Sequence, residues 1–170
     1  MSSFESALKK TLRWEGGYVN DPEDRGGETY CGISRKSHPT WEGWDILDKA
    51  GSDPQAPIRM HRSVEDFYKD NYWDKICGSQ IFSGQVASAL FDFAVNSGVA
   101  TASKIIQRIV GVEADGVIGK HTIGAINNSS VNLTNTLCEK RLEFLKSINP
   151  QYAKKYIKGW TNRVNSFKTL

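Results

Sequence analysis

A chain of 170 residues with 39% hydrophobic and 11% aromatic residues, five of them Trp, carries enough apolar surface to build a core without disulfide staples. Its 24% charged residues place it outside the composition of disordered chains. Twenty-two Lys and Arg against 19 Asp and Glu leave only +3, too small a surplus for a dedicated nucleic-acid binder.

Ser2 followed by Glu5 is a capping box, and Phe4, Leu8 and Leu12 form an apolar stripe. The first helix therefore runs to a stop at Gly16-Gly17, with Trp14 and Glu15 in its last turn. Asn20-Asp21-Pro22 and Arg25-Gly26-Gly27 are turn sequences that bracket a small hairpin, with Glu28 to Ile33 as the best strand. Between Ser37 and Arg59 the prolines at 39, 54 and 57 leave room for one short helix around Trp41, Trp44, Ile46 and Leu47. Ser63 with Asp66 opens the next helix, which carries Val64, Phe67, Tyr68 and Tyr72 on one face and ends by Gly78. Val86, Ala89, Leu90, Phe93 and Ala94 give the strongest amphipathic match, closed by Gly98, and mark the central core helix. Ala102, Ile105, Ile106, Ile109 and Val110 repeat the pattern up to Gly111. Asp115-Gly116 and Gly119 form a tight loop before a short helix, and Cys138, Leu142, Leu145 and Ile148 give a late helix that ends before Pro150. The sum is a mainly α (α+β) chain, helical with one small β-hairpin or sheet after the first helix.

Charge is unevenly spread. From Lys120 onward nine basic and two acidic residues leave +7, so residues 1–119 carry −4. The C-terminal third reads as a basic face or tail, suited to an anionic envelope polymer and screened by salt. Cys31, Cys77 and Cys138 are odd in number and in no CxxC pair, so reduced thiols are expected. His38, His61 and His121 lack the paired spacing of a zinc site, and no phosphate-binding glycine loop occurs, so neither metal nor cofactor is expected. No run of 18 apolar residues and no basic-then-apolar leader is visible. Synthesis in the cytoplasm without a signal peptide, and no membrane insertion, are the expectations.

Glu15 is the residue most suited to chemistry. It sits beside Trp14 where the negative end of the helix dipole disfavours a carboxylate, which predicts a raised pKa. Cleavage of a glycosidic bond needs such an acid to protonate the leaving oxygen. A second carboxylate must then activate water or stabilise the oxocarbenium-like transition state. Asp24, nine residues beyond Glu15, is the first choice among Asp21, Glu23, Asp24 and Glu28, with the Thr29 hydroxyl orienting the water. Tyr18, Tyr68, Asn71, Tyr72 and Trp73 supply aromatic faces and an amide for sugar stacking and N-acetyl recognition, and Asn96 follows the core helix. Core packing is the competing reading for Tyr68 and Tyr72, and a salt-bridged structural carboxylate the preferred one for Asp92.

Trp14-Glu15-Gly16-Gly17-Tyr18, Asn20-Asp21-Pro22, Asp24, Gly26-Gly27, Thr29 and Gly32-Ile33-Ser34 together resemble the N-terminal block of glycoside hydrolase family 108, the phage-type muramidases. The resemblance implies a lysozyme-like fold, Glu15 as proton donor and the MurNAc-GlcNAc backbone of peptidoglycan as substrate. It also implies a prophage endolysin, acting at the cell wall or periplasm after release by another route. Phage lysozymes space a Glu, an Asp nine later and a Thr six beyond that. Here Thr29 follows Asp24 by five residues, which keeps Glu28 as the alternative partner. Phe91-Asp92-Phe93-Ala94-Val95-Asn96-Ser97-Gly98 and Asp115-Gly116-Val117-Ile118-Gly119-Lys120-His121-Thr122 are similar to the family's companion peptidoglycan-binding segment. The expected organisation is a catalytic block over 1–92 and a helical segment over 93–170, packed into one lysozyme-like domain. Peptidoglycan glycan strands are the expected partner and a monomer the expected state. The rival functions are a lytic transglycosylase, which needs only the acid, and a non-catalytic wall-binding or secretion-accessory protein.

Overall fold

In the computed structural model, residues 4–20, 27–50, 54–148 and 150–169 are described. The architecture is mainly helical with a small three-stranded antiparallel sheet, consistent with a lysozyme-like fold. The predicted capping box at Ser2 and the turn residues Asp21 to Gly26 lie outside the described residues.

The chain forms two compact units, Leu8–Asn71 and the remainder, so helix α1 (Phe4–Glu15) contributes to both. In the first unit, β1 (Tyr18–Val19), β2 (Thr29–Tyr30) and β3 (Ile33–Ser34) pair in sequential order, with Tyr18 opposite Tyr30 and Thr29 opposite Ser34. The single strand expected over Glu28 to Ile33 is thus a hairpin. Cys31 and Gly32 both have positive φ, 48° and 82°, which is the backbone of a tight two-residue turn whose twist matches the flanking strands. Helix α2 (Glu42–Asp48) fills the expected short-helix region. Helix α3 (Ala56–Tyr68) starts a full two turns before the predicted opening at Ser63, which is instead buried in its interior. Pro57 in the first turn is the operative start signal, because its fixed φ suits the helix and its missing N–H would have had no partner there. Trp41, Trp44 and Phe67 pack edge-on between α2 and α3.

After a π-helical turn (Lys69–Trp73), the second unit is built on α4 (Gly84–Ser97), which is capped by the Ser83 hydroxyl on Val86 N–H. Residues 86–87 and 89–94 are all buried, so α4 is a core helix on every side. It packs on α5 (Val99–Val110) and α7 (Leu133–Ile148), and α7 packs on α8 (Pro150–Asn165). Gly111 closes α5 in the left-handed conformation as predicted, and α6 (Lys120–Asn127) follows the Asp115-Gly116 loop.

Helix α8 was read only as part of a basic stretch, and two of its neighbourhood's cations are core residues. Asp92 is fully buried and accepts from Arg141 Nη1 at 2.7 Å and from Arg163 Nη2 at 2.9 Å, the salt-bridged structural carboxylate expected. One carboxylate faces two guanidinium groups, and the Phe93 ring, 5.3 Å from the Arg141 carbon, supplies its negative face to the surplus charge. Burial pulls the Arg141 pKa down against the opposing pull of Asp92. The basic surface of the C-terminal third therefore consists of the seven lysines, all exposed.

Candidate active site

The Leu8–Asn71 unit brings Glu15, the β2–β3 turn and the end of α3 together. Glu15 is the last residue of α1, half-buried, and Gly16 after it turns the chain through φ +74°. Cys31 N–H donates to the Gly17 carbonyl at 3.0 Å, tying the hairpin tip to the chain just past Glu15. Gly32 is the closest approach. A Cβ built there would lie 2.9 Å from Glu15 Oε2, 3.2 Å from Glu15 Cβ and 2.8 Å from the Tyr68 hydroxyl. Only glycine fits, both for its backbone angle and for the space the carboxyl occupies. Tyr68, 2% exposed, donates its hydroxyl proton to the Cys31 carbonyl at 2.7 Å and so fixes the turn from below. Burial pushes the Cys31 thiol up, and burial followed by the Cys31 charge raises Tyr30.

Around this centre the strands carry a second charge cluster. Glu28 accepts from the Tyr18 hydroxyl at 3.0 Å and pairs with Arg35 Nε at 2.6 Å. Arg35 also forks onto both Asp48 oxygens, at 2.7 and 3.1 Å, and lies over the Trp44 ring. The hydrogen bond to Asp48 is the main cause that raises Arg35, and its counterpart from Arg35 lowers Asp48. Thr29 Oγ1 donates to the Gly27 carbonyl at 3.2 Å, leaving that oxygen able to accept. Asp24, the predicted second carboxylate, lies outside the described residues.

The remaining sugar-binding candidates divide by burial. Tyr18 is half-exposed on the sheet and keeps an accessible ring face. Asn71 is exposed, with its amide nitrogen bonded to the Phe67 carbonyl one turn back. Trp73 is a correction: it is 0% exposed, packed on Phe4 and Phe91, and its indole N–H is held by Ser79, so no face remains for a sugar. Tyr68 likewise offers no stacking face; its role at the site is to hold the turn. Tyr72 is half-buried and Asn96 exposed in the other unit. The Cys31-Gly32 turn has a signal in the sequence, an X-Gly pair between Thr-Tyr and Ile-Ser, whereas Arg35 has none.

Residues 8–98 match the model of glycosyl hydrolase 108, which spans more than half of the chain. The chain belongs to glycosyl hydrolase family 108. Residues 101–165 of this family member match a predicted peptidoglycan domain. The solved structure of SagA from Brucella abortus is similar to it, with a TM-score of 0.75 at 36% sequence identity, over 96% of this chain and 90% of that one. No curated protein matches it. Together the two family matches support a hydrolase that acts on and binds peptidoglycan. Among the described residues, no helix of the family member is long and apolar enough to cross a membrane.

Proposed function

We propose that the protein hydrolyses the β-1,4 linkage between MurNAc and GlcNAc in peptidoglycan, with Glu15 donating a proton to the leaving oxygen. The observation that carries this reading is the seat of the Glu15 carboxyl, at the end of α1 against the Gly32 turn and still half-accessible. A positioned acid of this kind is the first requirement of glycoside cleavage. Asp24 supplies the opposing charge or the base and Thr29 places the water through its free lone pair. Glu28 is the weaker partner, because Arg35 and Tyr18 already engage both of its oxygens. Tyr18 and Asn71 contact the glycan. The protein acts without a metal or cofactor, as a monomeric prophage endolysin at the cell wall.

The test is Glu15→Gln on purified sacculi. The variant keeps the shape but carries no proton to give, and release of reducing ends should fall below a few per cent of the parent. Higher residual turnover removes Glu15 from the role. Product masses from the parent decide the chemistry: water-added muropeptides are expected, whereas 1,6-anhydro products, one water lighter, would make the enzyme a lytic transglycosylase.

A further inference from the structure

Phe82 is 79% exposed, yet the backbone that carries it is hydrogen-bonded to a neighbouring helix. Its backbone N–H donates to Asn127 Oδ1 at 2.9 Å, and the nitrogen of the same amide donates to the Gln80 carbonyl at 2.9 Å. One side chain from the end of α6 thus clamps the loop on both sides of Ile81, just ahead of the exposed Phe82 ring. Beside it lies a groove of about 360 Å³ within the unit that follows Tyr72, in the size range of small-ligand sites.

The lining chemistry is unusual for this part of the chain. From Lys120 onward the sequence carries +7, but no side chain lining the groove is charged. Its floor is apolar, with Val86, Ile126 and Leu133, and Val131 stands half-exposed at the side. Its rim bears Ser83, Gln85, Ser129 and Asn132. The Ser83 and Ser129 oxygens accept from Val86 and Val131 N–H groups, so each hydroxyl proton remains to be donated. An anionic polymer would be drawn to the lysines and would gain nothing from this lining. An uncharged ring with a C–H face, hydroxyls and a small apolar branch matches it point by point: C–H bonds meet the negative face of Phe82, hydroxyls meet the serines and amides, and a methyl group meets the floor.

We propose that the Phe82 groove is a second, non-catalytic glycan site that takes an N-acetylhexosamine unit of a peptidoglycan strand. It goes beyond the cleavage reading and rests on that reading only for the identity of the polymer. A hydrolase working on an insoluble wall gains from such a site because a second foothold on the same strand raises the effective concentration of the scissile bond.

The experiment uses the full chain with Glu15→Gln, isotope-labelled and titrated with the uncharged N-acetylglucosamine tetramer. Saturable amide shifts are expected at Phe82, Ser83 and Ser129 to Asn132. Phe82→Ala should weaken the binding read at those amides about tenfold, Phe82→Trp should restore it, and Gln85→Ala should weaken it less. Phe82 is exposed, so its truncation leaves the remaining spectrum in place as a check on folding. Two outcomes overturn the groove: unmoved amides there while those of the Gly32 turn shift, which leaves the cleavage reading standing, or unchanged affinity in Phe82→Ala. Stillness at both places, with a parent enzyme that releases no reducing ends, overturns both readings.

Discussion

Gly32→Ala isolates the contact on which the site depends. Two costs follow from the coordinates. The first is backbone strain: φ is +82°, and an L-residue there loses about 1–2 kcal/mol. The second is crowding. The new Cβ would stand 2.8 Å from the Tyr68 oxygen and 2.9 Å from Glu15 Oε2, so both must retreat by about 0.5 Å to reach the 3.4 Å of ordinary contact. Tyr68 is buried and bonded to Cys31, so the carboxyl at the helix end gives way more easily. A 1 Å misplacement of a reacting group can cost about 100-fold, so half of that predicts a loss of about tenfold in kcat. Gly111→Ala is the control, because its φ is +74° but nothing lies within 4 Å of the added carbon. Both variants should melt a few degrees lower, about 2–4 °C per kcal/mol for a chain of this size. Only Gly32→Ala should lose turnover, measured as reducing ends released from sacculi, with KM near that of the parent. Equal activity in the two variants would refute the claim that this turn positions Glu15.

Tyr68→Phe should leave the Cys31 carbonyl without its donor, cost about 1–2 kcal/mol in denaturant melts and lower kcat with little change in KM; a rise in KM alone would instead make Tyr68 a sugar contact. Asp92→Asn should be far more damaging, about 3–5 kcal/mol, because it leaves Arg141 and Arg163 buried without a counter-charge, and calorimetry should show Tm lowered by about 10 °C. The Arg35 fork holds Asp48 below the usual carboxylate pKa, so its contribution is present above about pH 4 and is lost as pH falls through the lowered folded value. The stability difference between the parent and Asp48→Asn should therefore be measurable at neutral pH and vanish in acid.

Helices with a clean 3.6-residue stripe and a glycine at the end were readable from sequence to within two or three residues, as α4 and α5 show. Reading failed where two local signals competed. At α3 a Ser-x-x-Asp pair outweighed Pro57, although tertiary burial had taken Ser63 into the helix interior. At β2 and β3 a run of strand formers hid the Cys-Gly turn inside it, because periodicity alone carries no sign of φ. The place of Glu15 at the end of α1 was legible because the stop signal, Gly16-Gly17, adjoins it in sequence. The close approach of Gly32 to Glu15 and Tyr68 was not, since the three lie 17 and 36 positions apart in sequence and come together only through the fold. Trp73 illustrates the reverse error: aromatic clusters suit sugars and cores equally well in a sequence, and burial decides between them.

Glu15 and Glu28, two of the glutamates in the Leu8–Asn71 unit, differ in their surroundings. Glu28 is held by charge, with Arg35 Nε at 2.6 Å and the Tyr18 hydroxyl on its other oxygen. With both oxygens engaged, Glu28 suits a strut that runs through Arg35 to Asp48 at the end of α2. Glu15 lies against the Gly32 turn, beside an α-carbon that admits no side chain and near a tyrosine whose hydroxyl donates to the Cys31 carbonyl. Crowding at that turn reduces the side-chain freedom of Glu15, out of up to about 2 kcal/mol of entropy for a Glu, before substrate arrives. On the proposed cleavage, an acid whose freedom is already reduced needs less ordering when the glycan arrives.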